Sequence, residues 1–488
     1  MSKRVKSIVI AAAVLVVVAV GAFLTLKFLP QGKSDEPEIV DETPASRLLY
    51  DLDPLSLESV NIKNSHGEYN FHKFNVEGTH FFLIPEFLMQ PISDANYDAL
   101  MDAASSLVVQ TTVTEDAADL SVYGLSEPRA EVISVFDGDR AATKDLLIGN
   151  DTPDGGETYV SFRGEKTVYT VKTDDINIFL EGKYYYLSKV VYTQKTAVDE
   201  NDTTDYSKID KLTVTRQDLP YDFTIEYDKR ADDPEMTTGN MSRYRLTDPV
   251  LINLDPTKSQ SFTQGIFGLT ATDIAKDLPL QEDLVTYGLD EPYGRMEATI
   301  AGETFAMDFG AESFDDEGNK TGRYCKVDGI DIVYIFSEES LPWLTVMPLD
   351  ITTNVITSNY IYNLTSFEIM SDEFDYQFKL TGTGLNDFAV TLNGNEIGAQ
   401  DFRDFYQFFL KAPAEQIFLE ETTGTPVVTA VMTGEDINDT IEFIPDENRR
   451  TIVRINGVPA FSLRTSYVDR LIQNTNAIVS GEDIISSW

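Results

Sequence analysis

The chain has 488 residues and a formal net charge of −43, because 81 acidic residues outnumber 38 basic ones. This charge argues against nucleic acid and anionic lipid headgroups as partners, since both are bound by basic side chains that neutralise phosphate groups. Hydrophobic residues make up 42% of the chain and Cys325 is its single cysteine, so the sequence excludes a disordered protein and an intramolecular disulfide.

The first predicted element is a membrane anchor at residues 1–30. Basic residues precede an uncharged run from Ser7 to Leu26, which is long enough to span the hydrocarbon core as a helix. The basic start predicts a cytoplasmic N-terminus and an extracytoplasmic body, as in a single-pass protein of the cell membrane. The alternative is a cleaved secretory signal, but no A-x-A cleavage pattern follows the run, which favours an uncleaved anchor.

Residues 31–45 are predicted to be an acidic linker, and the rest of the chain to fold as three repeated modules. The modules share the pattern L/I-x-x-V/L/F-x-I/V-x6-Y-x-F, in which apolar residues alternate at the strand period. Each module is therefore predicted to begin with two strands joined by a short turn. The pattern starts at Leu57, Ile209 and Leu364. The predicted modules are 46–200, 201–350 and a divergent third copy at 351–488.

A helix is predicted after this strand pair in each module. In the first module it covers SDANYDALMDAASSL, with Ser93 or Asp94 as the N-cap and one apolar face. That face is predicted to contain Tyr97, Leu100, Met101 and Leu107. The corresponding stretches are SQSFTQGIFGL, which ends near Leu269, and AQDFRDFYQFFL, which ends at Leu410.

A turn with the sequence Y-G-L-x-E-P follows at residues 123–128 and 287–292, and the third module lacks it. Glycine permits a left-handed backbone in such a turn, and proline fixes the backbone at its exit. Strands are predicted after the turn. They contain Val132 and Val135 in the first module, and Met296 and Ala298 in the second.

A second strand pair is predicted near the end of each module. It contains Tyr159 and Tyr169, Tyr324 and Tyr334, and Ile452 and Phe461 in the three copies. In the third copy Asn456-Gly457 predicts a tight hairpin turn. Short apolar ends follow at Leu180, Leu344 and Leu471. The predicted fold class is α+β, with an N-terminal transmembrane helix and three modules, each a mostly antiparallel β-sheet with a packed helix.

Residues 122–172 resemble a bacterial membrane-anchored family, domain of unknown function 4340 (DUF4340). The matching features are the GL-x-x-P turn, a strand that ends in glycine, a T-P-D-G-G loop and a Y-V…V-Y strand pair. Residues 286–336 match the turn and the tyrosines but not the glycine loop. The resemblance implies an extracytoplasmic accessory subunit, because family genes often lie beside those of ABC-type permeases and ATPases. It supplies no active site that could be transferred to this chain.

Four features of the chain are candidate sites. The chain's three histidines, His66, His72 and His80, fall close together, but they lie in predicted strands and turns without metal-site spacing. The loops 150–157 and 315–318 are acidic, but neither has EF-hand spacing, and turn chemistry explains them better than Ca²⁺ binding. Cys325 is predicted to be a buried structural thiol. We therefore assign no catalytic, cofactor-binding or metal residues and no cofactor.

The leading functional hypothesis is a non-enzymatic accessory or scaffold subunit of an ABC-type membrane complex, with a transporter permease as its integral-membrane partner. The absence of G-x-S-x-G, H-E-x-x-H and P-loop motifs supports it. The alternative is a surface binding protein for a peptide, a glycan or a cell-wall component. A remote alternative is a carboxylate-based hydrolase, because a close carboxylate pair leaves no sequence motif.

Overall fold

The computed structural model describes residues 48–76, 79–138, 141–199, 201–232, 242–353, 356–357 and 359–487. The predicted anchor and acidic linker, at 1–30 and 31–45, lie outside these ranges. Within the described ranges no helix is both long and apolar enough to cross a bilayer.

Three sheets of nine strands follow one another along the chain. The first sheet contains β1 (Leu48–Asp51), β2 (Leu57–Asn64), β3 (Gly67–Val76), β4 (Thr79–Leu83), β5 (Ser106–Thr114), β6 (Ala130–Phe136), β7 (Ala142–Asp151), β8 (Glu157–Phe162) and β9 (Val168–Lys172). The second contains β10 (Lys211–Arg216), β11 (Phe223–Tyr227), β12 (Tyr244–Asp248), β13 (Ile252–Asn253), β14 (Asp273–Asp277), β15 (Gly294–Ile300), β16 (Glu303–Phe314), β17 (Lys320–Val327) and β18 (Ile332–Phe336). The third contains β19 (Leu364–Ser371), β20 (Asp375–Thr381), β21 (Ala389–Leu392), β22 (Asn395–Ile397), β23 (Gln416–Ile417), β24 (Val428–Gly434), β25 (Ile437–Pro445), β26 (Arg450–Ile455) and β27 (Val458–Arg464).

The helices lie between and after these strands. They are α1 (Asp94–Ser105), α2 (Thr173–Ile176), α3 (Gln260–Gln264), α4 (Gln281–Thr286), α5 (Ala399–Leu410) and α6 (Thr465–Ser480).

The three sheets share one topology. The strand orders are β1-β5-β9-β8-β7-β6-β2-β3-β4, β13-β12-β11-β10-β15-β16-β17-β18-β14 and β22-β21-β20-β19-β24-β25-β26-β27-β23. Eight strands correspond in all three orders, and the ninth is β1 in the first sheet but β13 or β22 at the opposite edge in the others. The strands pair antiparallel. The predicted repeated α+β architecture is thereby confirmed.

The first strand pair of each module forms where the sequence pattern predicts it. In the first module Val60 lies opposite Phe71, and in the third Phe367 lies opposite Phe378. In the second module the register is shifted by two residues, so that Val214 rather than Leu212 lies opposite Phe223. A two-residue shift leaves every side chain on its original face of the sheet, because side chains alternate with a period of two.

One helix packs on a face of each sheet, as predicted. In each module an aromatic side chain of this helix contacts the phenylalanine that ends the Y-x-F pattern. The ring centroids of Phe71 and Tyr97 in α1 lie 5.8 Å apart. The corresponding distances are 5.4 Å between Phe223 and Phe262 in α3 and 5.1 Å between Phe378 and Phe402 in α5. These contacts join the strand pair to its helix in all three modules.

Some predicted details were wrong. Leu107 is buried in β5 rather than on the face of α1. The second module's helix, α3, has only five residues, because Gly265 follows it and the chain turns there. The short apolar end predicted at Leu471 is part of the 16-residue helix α6.

The chain segment after β9 connects the first two sheets. Leu187 forms an antiparallel bridge to Ile92 in the first module, and Val190 forms one to Thr270 beside the second sheet. The backbone NH of Val191 also donates to the carbonyl of Leu269 at 3.0 Å. These hydrogen bonds hold the first two modules against each other over a short length of chain.

Buried tyrosines make the fold sensitive to alkaline solution. Tyr69 donates a hydrogen bond to the carbonyl of Glu181 and accepts one of 2.8 Å from Asn64 Nδ2. Burial raises the pKa of Tyr69 to about 12, although the Asn64 hydrogen bond acts to lower it. The unfolded side chain ionises near pH 10, so its contribution to stability is complete below that pH and is lost as the pH rises towards 12.

We therefore expect Tyr69→Phe to reduce the alkaline loss of stability. The free energy of unfolding, measured in urea at several values between pH 8 and 11, should fall less steeply above pH 10, by up to about 1.4 kcal/mol per pH unit. Tyr360→Phe is the matched control, because Tyr360 is 57% exposed. Identical pH slopes for Tyr69→Phe and the unmodified protein would contradict the assignment.

Candidate functional site

The candidate histidines do not converge. His66 lies exposed in the turn before β3 and packs against Gly182, with its Cγ 3.4 Å from the position of an added Cβ. His72 lies five residues after Gly67, the first residue of β3, and therefore about 17 Å along that strand from its start. His80 lies in β4, opposite Asn75 in the backbone register. Among the described residues no group of three or more His, Cys, Asp or Glu could hold a metal ion.

The acidic loop at 150–157 uses its carboxylates within the fold. Asp151 accepts hydrogen bonds from Thr158 Oγ1 at 2.6 Å and from Arg129 Nη2 at 2.5 Å. Partial burial acts to raise the pKa of Asp151, but these two donors hold it below its usual value. Asp154 accepts a hydrogen bond of 2.6 Å from Thr152 Oγ1. The structure therefore gives these side chains a role in closing the β7–β8 connection.

The second acidic loop, at 315–318, is the turn between β16 and β17. Asp315 Oδ1 accepts hydrogen bonds from the backbone NH groups of Glu317 and Asn319, at 3.0 Å and 2.8 Å. Gly318 takes a left-handed backbone with φ of 83°. The Asp315 side chain thus stabilises a tight turn by bonding to the backbone of its own loop.

Cys325 lies on β17, opposite Phe309 and Tyr334, and is fully buried. Burial raises the pKa of its thiol well above the usual value, which disfavours the reactive thiolate. The prediction of a buried structural thiol is confirmed.

A charged cluster joins the first two modules at Lys183. Its Nζ lies 2.6 Å from Glu86 Oε1 and 3.3 Å from Asp277 Oδ2. Asp277 is only 7% exposed and also accepts a hydrogen bond of 2.6 Å from Tyr184 Oη. Burial acts to lower the pKa of Lys183, but the two carboxylates hold it above its usual value. Lys183 therefore fixes the 85–90 loop of the first module beside the end of β14.

Exposed apolar side chains flank this cluster. We call Leu88, Met89, Tyr185, Leu278 and Leu280 the junction surface; their exposed fractions are 46%, 90%, 39%, 47% and 63%. Their neighbours in sequence, Glu86, Lys183 and Asp277, meet in one ion-pair cluster, so the three short segments converge. Apolar side chains grouped on a surface and rimmed by charges are typical of protein–protein contact sites.

A cleft of about 350 Å³ lies between the second and third modules. Its polar centre is Asp439, which accepts hydrogen bonds of 2.6 Å from Asn359 Nδ2 and 2.8 Å from Asn456 Nδ2. Aliphatic side chains form most of the wall. They include Ile252, Ile356, Ile441, Ile455 and Val458. A mostly apolar pocket with a few oriented polar groups is the usual form of a small-ligand site.

The Y-G-L-x-E-P turns pack tightly onto their own sheets. Gly124 and Gly288 have left-handed φ values of 72° and 63°. The strand glycine opposite each turn leaves room for it: a Cβ on Gly149 would lie 2.2 Å from the carbonyl oxygen of Tyr123, and one on Gly310 2.4 Å from that of Tyr287. The turn tyrosines also contact a strand tyrosine. The centroids of Tyr123 and Tyr159 lie 5.1 Å apart, and those of Tyr287 and Tyr324 lie 4.6 Å apart.

The sequence model of the family described as domain of unknown function (DUF4340) matches residues 85–292, which include both turns. The resemblance to DUF4340 is thereby confirmed for residues 85–292. No curated protein and no solved structure matches the chain. The motif residues of the DUF4340 segment have a structural role, because they fasten a turn to a sheet.

The third module, which lies outside the DUF4340 segment, replaces this contact. Ile444 occupies the strand position that Gly149 and Gly310 hold in the other modules. In the first module Ile148, the residue before Gly149, pairs with the first residue of β6. In the third module Phe443, the residue before Ile444, pairs with the first residue of β24 in the same way. Here the glycine is in the loop instead: a Cβ on Gly424 would lie 2.6 Å from Ile444 Cγ2. The loss of the turn motif and of the strand glycine in this module is therefore one coupled change.

The junction surface lies within the DUF4340 segment, whereas the cleft lies mostly outside it. Sequence reasoning identified neither. The run Lys183-Tyr184-Tyr185-Tyr186, which places a cation among aromatic side chains, was the signal available for the junction. No local pattern marks the cleft, because its walls come from segments about 200 residues apart.

Proposed function

We propose that this protein is a non-enzymatic, extracytoplasmic accessory subunit that is tethered by its N-terminal helix and assembles with an integral-membrane partner, a permease of the ABC type. The junction surface is the observation that carries the proposal. It presents five large apolar side chains on loops of two modules, and the Lys183 ion pairs hold those loops together. A surface that is already ordered loses little conformational entropy when it binds.

The charge distribution supports a protein partner in the same membrane. The net charge of −43 disfavours contact with anionic headgroups, so the body needs another way to stay near the bilayer surface. Each residue of the acidic linker extends the chain by at most about 3.5 Å. A linker of this length limits the first module to the neighbourhood of the membrane, where a permease is accessible to the junction surface.

Site-specific crosslinking in intact membranes tests the proposal. Cys325 is the only native cysteine and is fully buried, so Met89→Cys would give the full-length protein a single accessible thiol. A thiol-linked photo-crosslinker at this position is expected to capture an integral-membrane protein that mass spectrometry identifies as a permease. Leu280→Cys, on the segment that the second module contributes to the junction surface, should capture the same protein.

The matched control is Leu385→Cys, because Leu385 is 66% exposed but lies in the third module. It should give no permease crosslink. If neither junction variant captures an integral-membrane protein, or if Leu385→Cys captures the same protein with equal yield, the proposal is wrong.

A surface binding protein for a peptide, a glycan or a cell-wall component is the second candidate, and the cleft favours it. The cleft volume of about 350 Å³ falls within the range of small-ligand sites, and Asp439 is held in place by two amide donors. Val458 lines the cleft and is 61% exposed, so Val458→Cys places the crosslinker there. Crosslinks from Val458→Cys to a cell-wall component, with none from Met89→Cys to a permease, would replace the first proposal with this one.

A further inference from the structure

The cleft between the second and third modules has one charged side chain in the wall that each module provides. Arg245 belongs to β12 of the second module, and Asp439 belongs to β25 of the third. Among the described residues that line the cleft, these two are the charged ones. The cleft therefore presents one positive and one negative group, on facing modules.

The carboxylate of Asp439 is half-buried and fixed in position. Its Oδ2 accepts a hydrogen bond from Asn359 and its Oδ1 accepts one from Asn456. A carboxylate has about four acceptor sites, so about half of this capacity is unused. No cationic side chain in the described ranges pairs with Asp439. Charges shielded from water are normally paired, and this carboxylate is complementary to an ammonium group.

The guanidinium of Arg245 is only partly engaged by the protein. Its Nε lies 3.2 Å from Asp228 Oδ2, and 27% of its side-chain surface is exposed. Its two terminal nitrogens donate no hydrogen bond to any other residue that the structure describes. The parallel N–H groups of a guanidinium match the two oxygens of a carboxylate. Arg245 is therefore complementary to a carboxylate while it remains beside Asp228.

Between the two charges the cleft is aliphatic. Ile252, Ile356 and Ile441 are buried in its walls, and Leu251 and Val458 line it with 59% and 61% of their surfaces exposed. The volume of about 350 Å³ lies near the lower end of the range for ligand sites, about 300–1,000 Å³. The ligand is therefore small and carries aliphatic groups.

A ligand with both charges fits this cleft better than one with a single charge. A simple amine pairs with Asp439 alone, and a simple carboxylate is repelled by the net charge of −43. A zwitterion satisfies both walls and avoids that repulsion, because its own net charge is zero. The side-chain amide of Asn253 also lies in the wall and forms no hydrogen bond within the described part of the chain. It is complementary to a peptide group.

We propose that the cleft binds a short aliphatic peptide with free ends, of about dipeptide size. The α-ammonium group donates to Asp439, the carboxylate accepts from Arg245, and the side chains contact the isoleucines. The proposal rests on the second candidate function, that of a surface binding protein, and names its ligand class. It does not involve the junction surface, so an accessory subunit of a membrane complex can bind such a peptide as well.

Calorimetric titration of the full-length protein in detergent with dileucine, near neutral pH, tests the proposal. N-acetyl-dileucine and dileucine amide each lack one of the two charges and should bind at least about tenfold more weakly. Glycylglycine keeps both charges but has no aliphatic side chains, and it should also bind about tenfold more weakly or worse. Undetectable binding of dileucine at millimolar concentration would overturn the proposal, as would equal affinity for glycylglycine.

Variants of the two charged residues assign each end of the ligand. Asp439→Asn should weaken dileucine binding about tenfold but change the affinity for N-acetyl-dileucine less than about twofold, because that ligand has no ammonium group. Arg245→Gln should show the same selectivity between dileucine and dileucine amide. A variant that merely misfolds would lose both ligands of its pair, so the comparison separates binding from folding. Equal loss of both ligands in two folded variants would overturn the proposal.

Asp436→Asn is the matched control for charge. Asp436 is exposed on the β24–β25 turn and does not line the cleft, and asparagine tolerates its left-handed φ of 58°. It should alter dileucine affinity less than about twofold. Weakening equal to that of Asp439→Asn would show an effect of net charge alone and would overturn the proposal.

The failure of this proposal is distinguishable from that of the functions on which it bears. If glycerophosphoethanolamine bound as tightly as dileucine, the cleft would recognise a lipid headgroup, and the peptide assignment would be wrong. A glycan crosslinked to Val458→Cys, without dileucine binding, would also overturn the peptide but retain the surface binding function. None of these results would alter the permease crosslink expected from Met89→Cys.

Discussion

Replacing Gly149 with alanine is expected to destabilise the first module by about 2–4 kcal/mol, near the upper end for overpacking substitutions. The new Cβ would lie 2.2 Å from the carbonyl oxygen of Tyr123 and 3.1 Å from two side-chain atoms of Leu125. Neither neighbour can move easily. The Tyr123 carbonyl belongs to the backbone of a turn, and the ring of Tyr123 contacts that of Tyr159. Leu125 is only 3% exposed.

The urea concentration at which the first module unfolds measures this effect. Hydrogen exchange of the β6–β9 amides should report the same loss locally, which separates it from unfolding of the other two modules. Gly156→Ala is the matched control, because no atom lies within 4 Å of a Cβ at that position and its φ is not left-handed. It should change stability by less than about 0.5 kcal/mol. If the β6–β9 amides were equally protected from hydrogen exchange in Gly149→Ala and Gly156→Ala, the turn would not pack against β7 as described.

Replacing Phe367 with alanine is expected to destabilise the third module by about 3–5 kcal/mol. Phe367 is fully buried at the centre of β19, and its ring lies edge-on to four aromatic rings of α5. The contacting residues are Phe402, Phe405, Tyr406 and Phe409, with ring centroids 5.1–6.0 Å from that of Phe367. Removal of the ring leaves a cavity and deletes the contacts that hold α5 on the sheet.

Hydrogen exchange of the α5 amides and urea unfolding measure this effect together. Phe367→Leu should lose less stability, about 1–2 kcal/mol, because it retains most of the volume. The control is Phe314→Ala, since Phe314 is 53% exposed on the second sheet and should lose less than about 1 kcal/mol. A Phe367→Ala protein whose α5 amides exchange no faster than in the unmodified chain would rule out this role for the ring.

The repeated pattern of apolar and aromatic residues was enough to predict three similar modules, their first strand pairs and the Asn456-Gly457 hairpin. Both turn residues there have left-handed φ values, 51° and 82°, as the tight turn requires. These features depend on neighbours close in sequence. Alternation at a period of two decides which side chains face the core, and specific residue types decide where a turn can form.

The register of the second module's strand pair could not be predicted in this way, because a shift of two residues leaves the same side chains buried. Helix α6 is a different case. The sequence contained a signal for this helix, because its buried residues recur at helical spacing. They are Tyr467, Val468, Leu471 and Ile478.

By itself the sequence determined the repeat, the first strand pair of each module, its main turns and the presence of a packed helix, since each follows from residues close together in the chain. Only the tertiary structure decided which surfaces the modules present. The junction surface depends on Lys183 reaching Glu86, 97 residues earlier, and Asp277, 94 residues later. The cleft depends on Ile252 of the second module lying close to Ile441 and Asp439 of the third. Contacts over such separations arise from how whole elements pack, and periodicity along the chain carries no record of them.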